Sequence, residues 1–450
     1  VGSEMCIRDR PWMRGTQKWL SMLSLRPGWG RVGSQPTDEY LFFSKYTGTD
    51  SYNGANSIYP SNIRLSNLQW EEKETWNVGF DLGLFNNMIT ADFNIYTQMT
   101  SKLLMRDVKL PSSSGFSSLS WTNVGKMRNN GWEFNVNGTD VVKVGKFRLG
   151  FNVTFANNKN EIVEMDPTAL SSLNKDFDNK NGSYLPRIQL NNPFGAIYGF
   201  RYKGVYQYSD YSDVEVPGVS GPNAPVARDE NGNVIRDKAG FTIPMVFGYD
   251  KTTNTELYEF QGGDAIYEDI NHDGNINELD IVYLGSSLPK ITGGWGLKFS
   301  YGRWSLNAQF NFRVGNKVIN EARMNAESMY NNNNQAASVN WRWRTEGQLA
   351  EIPRALYNKG FNYLGSDRFV EDASFMRLNY LSLGYSLNPK LLRRIGVTSL
   401  SINLNASNLF CLTNYSGADP EVSYGGMNVA TDGAKTPRSR QFTARVQIGF

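Results

Sequence analysis

Histidine and cysteine are almost missing from this chain: one His and two Cys in 450 residues. The single imidazole, His272, excludes histidine general-base chemistry anywhere else. Cys6 and Cys411 are too few for a disulfide framework or a metal cluster. No nucleophile–base constellation and no catalytic metal motif can be assembled, so an enzyme is not expected. Charge of one sign is lacking too. The 46 basic residues balance 43 acidic ones with no basic block, which excludes the usual signature of a nucleic-acid partner. No apolar run reaches the roughly 18 residues of a transmembrane helix. The mean hydropathy of −0.47 does not by itself make the protein soluble, because a membrane β-barrel alternates apolar and polar residues and carries hydrophilic loops.

What is present is alternation, with 43 Gly and 13% aromatic residues. In "QFTARVQIGF" the residues Phe442, Ala444, Val446, Ile448 and Phe450 share one face, and Thr443, Arg445, Gln447 and Gly449 the other. Leu400, Ile402, Leu404 and Ala406 alternate in the same way with Ser401, Asn403, Asn405 and Ser407. A less pure run places Phe375, Arg377, Asn379, Leu381, Leu383 and Tyr385 together. Hairpins are expected at Asn86-Asn87, near Gly145 and at Gly302-Arg303. Trp295, Leu297, Phe299 and Tyr301 face one way on the last of these, as do Trp304, Leu306, Ala308, Phe310 and Phe312. About ten such strands alternate tight turns with long loops, the asymmetry of an outer-membrane barrel rather than of a soluble sandwich. With Phe450 on the periplasmic side, 316–372 and 411–441 become extracellular loops. Counting further back predicts an additional strand between 159 and 290, supplied by "YLPRIQL" or by the region of "NTELYEF".

The stretch "DINHDGNINELD" has the spacing of a calcium loop. Side-chain oxygens of Asp269, Asn271, Asp273, Asn277 and Asp280 and the carbonyl of Asn275 would surround the ion, with Gly274 at the sharp turn. Position 12 is Asp280 rather than the longer Glu, which shortens its reach. No helical period flanks the loop, so a bound Ca2+ would be structural, bracing an external loop. The alternative is an Asx-rich turn held by its own side-chain to backbone bonds. Elsewhere, Glu71, Glu72 and Glu74 read as a solvated strand edge. Trp341 to Arg344, "WRWR", reads as a packed loop or interfacial belt rather than a sugar-stacking site. "YNNNNQ" at 330–335 reads as a loop tip. Trp295, Trp304 and Phe450 read as interfacial girdle residues.

The chain divides on this reading into residues 1–10, 11–64 and 65–450. "VGSEMCIRDR" resembles a translated sequencing adapter and is expected to be non-native. Residues 11–64 are left as partial barrel or loop. From 65 onward, "ETWNVGFDLGLFNN", "LPSSSGFSSLSWTNVGKMRNNGWEF", "NPFGAIYGFRYKGVYQ", "GDAIYEDINHDGNIN", "LGSSLPKITGGWGLKFSY", "DASFMRLNYLSLGYSL", "LNASNLF", "DPEVS" and "PRSRQFTARVQIGF" follow one another. In that order they resemble the C-terminal part of a SusC/RagA-type TonB-dependent outer-membrane transporter of Bacteroidetes. The resemblance implies an all-β fold: an antiparallel transmembrane β-barrel, here about 10–11 of about 22 strands, with the N-terminal plug and TonB-box lying outside this sequence. It implies location in the cell outer membrane and energised import of glycans or peptides. Partners would be a SusD-like surface lipoprotein and, through the N-terminal part, the TonB complex, with oligosaccharide or peptide as substrate and outer-membrane lipid around the wall. Phe442, Val446, Ile448 and Phe450 would then form the terminal barrel strand and its assembly signal. Passive porin-like barrel and surface glycan-binding β-protein are the alternatives, the first excluded by an upstream plug and the second by a need for detergent.

Overall fold

The computed structural model describes residues 5–6, 15–16, 18–41, 43–52, 55–174, 182–185, 187–209, 225–248, 257–392, 396–423 and 429–450. One twelve-stranded antiparallel sheet dominates. Ten long strands follow each other in chain order: β1 Leu20–Ser34, β2 Glu71–Leu84, β3 Ile89–Ser101, β4 Gly125–Val144, β5 Phe147–Met165, β6 Ile291–Tyr301, β7 Trp304–Val314, β8 Phe375–Ser386, β9 Ser399–Ser407 and β10 Gln441–Gly449. Two short pieces complete it, Met5–Cys6 on the free side of β1 and Cys411–Thr413 extending the pairing of β8. The segment 11–64 therefore supplies a wall strand, β1. The sheet runs as an open path rather than a closed ring.

Its register explains the alternation. Phe151, Leu297, Ala308, Leu381, Ala406 and Phe442 lie side by side across six strands, as do Leu149, Phe299, Leu306, Leu383, Leu404 and Ala444. Between these rows runs a polar one on the opposite face: Gly150, Lys298, Asn307, Ser382, Asn405 and Thr443. One face is thus continuously apolar and the other polar, because side chains alternate with a period of two and neighbouring strands keep step. The impurity in β8 has a physical cause. Gln309 pairs Tyr380 but Phe310 pairs Leu378, so Asn379 is an extra residue in a β-bulge. Beyond it the faces exchange. Phe375 and Arg377 therefore do not share a face with Leu381, Leu383 and Tyr385; Arg377 points inward and is buried.

All short turns lie on one rim. Leu84 and Ile89 flank the β2–β3 turn, where Phe85, Asn86 and Asn87 take positive φ, a conformation asparagine tolerates well. Val144/Phe147 and Tyr301/Trp304 close around Gly145 and Gly302, both at positive φ. The three expected hairpins are all found. The connections 35–70, 102–124, 166–290, 315–374 and 408–440 share the opposite rim.

Among the described residues the additional strand expected between 159 and 290 is not formed; the first three residues of "NTELYEF" lie outside them. Phe147–Ala156 of β5 pairs directly with Thr292–Tyr301 of β6, leaving no place for it in the wall. Ten strands put Asn86-Asn87 on the short-turn rim without it, so the alternation of short and long connections needs no further strand. The described part of "YLPRIQL" is coil, and Tyr258–Glu259, from the other candidate, joins a small three-stranded sheet within the connection.

That connection instead builds a layer with its own core. Phe200, Tyr206, Phe247, Phe260, Ala265, Tyr267 and Ile276 are buried together with Leu364 of the 315–374 connection. A second cluster joins Met324, Tyr363 and Phe369. The described residues of the 166–290 and 315–374 connections therefore form a folded layer on one rim.

Candidate functional site

The loop 269–280 is anchored at both ends of its turn. Asn275–Ile276 pairs in parallel with Val246–Phe247, and Ile276 is fully buried in the layer's core. His272 and Gly274 take positive φ, and the N–H of Val246 donates to the Gly274 carbonyl at 2.9 Å. A Cβ on Gly274 would lie 2.6 Å from the Ala227 methyl, so the turn closes against the 225–245 segment with no room for a side chain.

The predicted oxygens are brought together, and backbone amides occupy them. Asp269 accepts from Gly274 N–H at 2.8 Å and from Asp273 N–H at 3.3 Å. The Asp273 N–H is also 3.2 Å from Asn271 Oδ1, and Asp273 Oδ1 accepts from Asn275 N–H at 2.8 Å. Asn277 caps the single turn Glu278–Asp280 through Leu279 N–H. Asp280 is completely buried, with one oxygen on Ile270 N–H at 2.8 Å and the other on Asn277 N–H at 2.9 Å. Burial pushes its carboxyl up to about 6; the charges of Asp269 and Asp273 add to the rise and the two amides oppose it. Oxygen donors are the chemistry of a hard cation. Yet among the described residues no three acidic, His or Cys groups stand ready to hold a metal ion. The Asx turns alone account for the loop's shape.

Sequence reasoning missed what this loop packs on. "RDENGNVI" at 228–235 and "RDKAGFTI" at 236–243 are tandem octapeptides with the same bonds. Asp229 Oδ1 accepts from Asn231 and Asn233 N–H, as Asp237 Oδ1 does from Ala239 and Phe241 N–H, all within 2.8–2.9 Å. Arg228 and Arg236 each donate to the glycine carbonyl four residues on, at 2.8 Å. The eight-residue spacing was the available signal.

Also missed was a buried ion pair between two connections. Arg354 Nε lies 2.6 Å from Asp264 Oδ1, and Nη2 lies 3.1 Å from Oδ2. Tyr258 Oη donates to the same carboxylate at 2.7 Å and Asn362 Nδ2 at 3.3 Å. Asp264 is wholly buried. No local signal links residues so far apart.

The remaining expected residues are placed plainly. Phe442, Val446 and Ile448 lie on the exposed apolar face of β10, and Phe450 follows the strand, also exposed. Glu72 pairs with Lys102 at 2.6 Å and with Arg31, and Glu74 accepts from Trp29 and Trp76, so this acidic edge is tied to neighbouring strands. In "WRWR", Trp343 is packed and donates to Gln207 at 3.0 Å, whereas Trp341 is exposed. Trp295 stacks on Phe310 at 4.0 Å, and Trp304 meets Tyr385 at 4.5 Å on the short-turn rim.

Residues 18–243 match the family model described as TonB dependent receptor-like, beta-barrel. TonB-dependent receptor P39 of Formosa agariphila is 26% identical over 447 residues, covering 96% of this chain and 41% of that protein. TonB-dependent receptor SusC of Bacteroides thetaiotaomicron is 25% identical over 448 residues, covering 96% of this chain and 38% of its own length. The structure of the RagAB peptide transporter superposes with a TM-score of 0.73 at 24% identity, covering 100% of this chain and 43% of that one. The chain thus spans well under half the length of these proteins.

Proposed function

Because the chain belongs to the TonB-dependent receptor-like β-barrel family, we propose that it forms the C-terminal barrel portion of an energised importer in an outer membrane. The observation that carries this reading is the wall itself. Its apolar rows face outward without interruption over six strands, while the reverse face is polar. Such a sheet suits hydrocarbon on one side and an aqueous lumen on the other. The outer edges of β1 and β10 call for further strands, since unpaired edge groups are costly in lipid. The matched relatives, more than twice as long, have the length to supply them.

In this reading the short turns face the periplasm and the folded loop layer faces outward. A SusD-like lipoprotein would cap that layer, TonB would act through the N-terminal part, and the cargo would be an oligosaccharide or a peptide. The loop 269–280 is a brace of the layer. A Ca2+ ion, where bound, would sit on Asp269, Asn271 and Asp273 and add to that bracing.

Uptake by cells carrying the full-length receptor tests the reading. Labelled oligosaccharide or peptide should accumulate, and collapsing the proton-motive force should abolish accumulation. Uptake that persists unchanged without that energy would make the protein a passive pore.

A further inference from the structure

The outer face of β1 to β5 changes character in steps. Its rows, going away from the short turns, begin with Leu25, Phe80, Phe93, Phe134 and Phe155. The next row is Pro27, Val78, Ile95, Trp132 and Asn157, and the one after is Trp29, Trp76, Thr97, Asn130 and Lys159. Beyond these stand Arg31, Glu74, Met99, Arg128 and Glu161. Within two rows the surface passes from aromatic to charged.

A trough of about 940 Å³ straddles that boundary. Trp29 and Trp76, 6.0 Å apart, stand on one side and Trp132 on the other, with Val78 and Ile95 as its apolar floor. Thr97 and Asn130 line its polar end, where Lys159 stands with its side chain 71% exposed and a long, 4.0 Å ion pair to Glu161. The charges above are largely paired: Arg128 with Glu161 inside that row, Arg31 with Glu72 of the row beyond, and Lys126 with Glu164 within the row beyond.

We propose that this trough seats one membrane lipid, its acyl chain on Val78 and Ile95 between the tryptophans and its anionic phosphate on Lys159. Three features select that occupant. The trough is continuous with the lipid-facing rows. It crosses from apolar to polar at one level, as an amphiphile does. Its cation lies at the polar end alone, whereas a protein partner would not require that polarity. Indole rings belong at this depth, with their faces in hydrocarbon and their N–H groups toward water; Trp29 and Trp76 both donate to Glu74.

The inference rests on the membrane reading, and the test separates the two. The full-length receptor would be placed in nanodiscs of phosphatidylcholine containing phosphatidylglycerol, and retained lipids counted by native mass spectrometry. The wild type should keep one phosphatidylglycerol, preferred over phosphatidylcholine by about fivefold, the effect of one lysine near a membrane surface. Lys159→Gln should abolish the preference and leave the fold untouched, since that side chain is exposed. Ile95→Trp, which fills the floor, should lose the bound lipid altogether. Equal retention in Ile95→Trp and wild type overturns the proposal, as does equal retention of both lipids by the wild type. If Ile95→Trp instead dissociates a receptor dimer, the trough is an interface between copies and the lipid assignment falls. A receptor that never enters the nanodisc defeats the membrane reading itself.

Discussion

The wall and the loop layer handle hydrophobic residues in opposite ways. In the wall, Trp304, Phe442 and Val446 are half or more exposed, and from β5 to β10 a polar row such as Lys298, Asn307, Ser382 and Asn405 is turned to the opposite face. In the layer, Phe200, Phe260 and Leu364 have no exposure at all. A wall facing lipid has its apolar surface buried by the membrane, so exposure in the isolated chain is correct design. A layer facing water must bury its own. One composition serves both, and that is why hydropathy averaged over the chain decided nothing. What separates the regions is where the partner of each apolar side chain is found: on the proposed reading the bilayer for one, and residues far off in sequence for the other.

That contrast can be broken from either side. Arg354→Ala leaves Asp264 as a buried, unpaired charge and should cost the layer about 3–5 kcal/mol. Hydrogen exchange around Tyr258–Tyr267 and Leu364 should accelerate by roughly a hundredfold or more, while the wall keeps its resistance to heat in detergent. Wall and layer melting together would show one cooperative unit. The converse variant is Leu404→Lys, which puts an ammonium on the lipid face and should cost about 2–4 kcal/mol near the bilayer midplane. Folding titrations into vesicles would register it, and exchange in the layer should not. A neutral outcome would place Leu404 away from hydrocarbon.

The wall was legible because its information is local. Alternation over eight to ten residues fixes a strand, and Gly or Asn at a positive-φ turn fixes the hairpin, so β6–β7 around Gly302 and β9–β10 were readable almost to the residue. The bulge at Asn379 was visible only as an impure pattern, since its register depends on β7. The layer was not legible. It depends on pairs such as Asp264–Arg354 and Tyr202–Asp367, brought together across long connections, and its strands are two to five residues long. A strand was accordingly expected where a folded connection stands. The loop 269–280 lies between these cases. Its spacing predicted which oxygens gather, but the octapeptides against which it packs went unread.

Two smaller perturbations sharpen the comparison inside the layer. Gly274→Ala forces a methyl into the space of Ala227 at a backbone conformation suited to glycine, and should cost about 1–3 kcal/mol. Proteolysis of the 225–290 segment should report it, with the wall unaffected. A fully tolerated Gly274→Ala would mean that the loop does not close against Ala227 of the 225–245 segment as described.

Calcium addition is expected to have the smallest effect. With Asp280 held by two backbone amides and too short to reach as Glu would, the affinity should resemble that of weak extracellular sites, with Kd on the order of 1 mM. Ten-fold excess over Kd then stabilises the bound form by about 1.4 kcal/mol, or roughly tenfold slower proteolysis of the loop. Magnesium should not substitute, because it gives up its waters reluctantly and demands a tighter octahedron. Asp269→Asn should remove the calcium effect while its one remaining oxygen keeps the shorter of the two amide bonds, that from Gly274 N–H, and Asn271 Oδ1 still accepts from Asp273 N–H. Identical protection with and without calcium would leave the loop as an Asx-built brace alone. Protection by calcium that survives Asp269→Asn would place the ion elsewhere in the layer. The layer's core would remain intact in every case, since Ile276 and Phe247 hold the loop by burial rather than by charge.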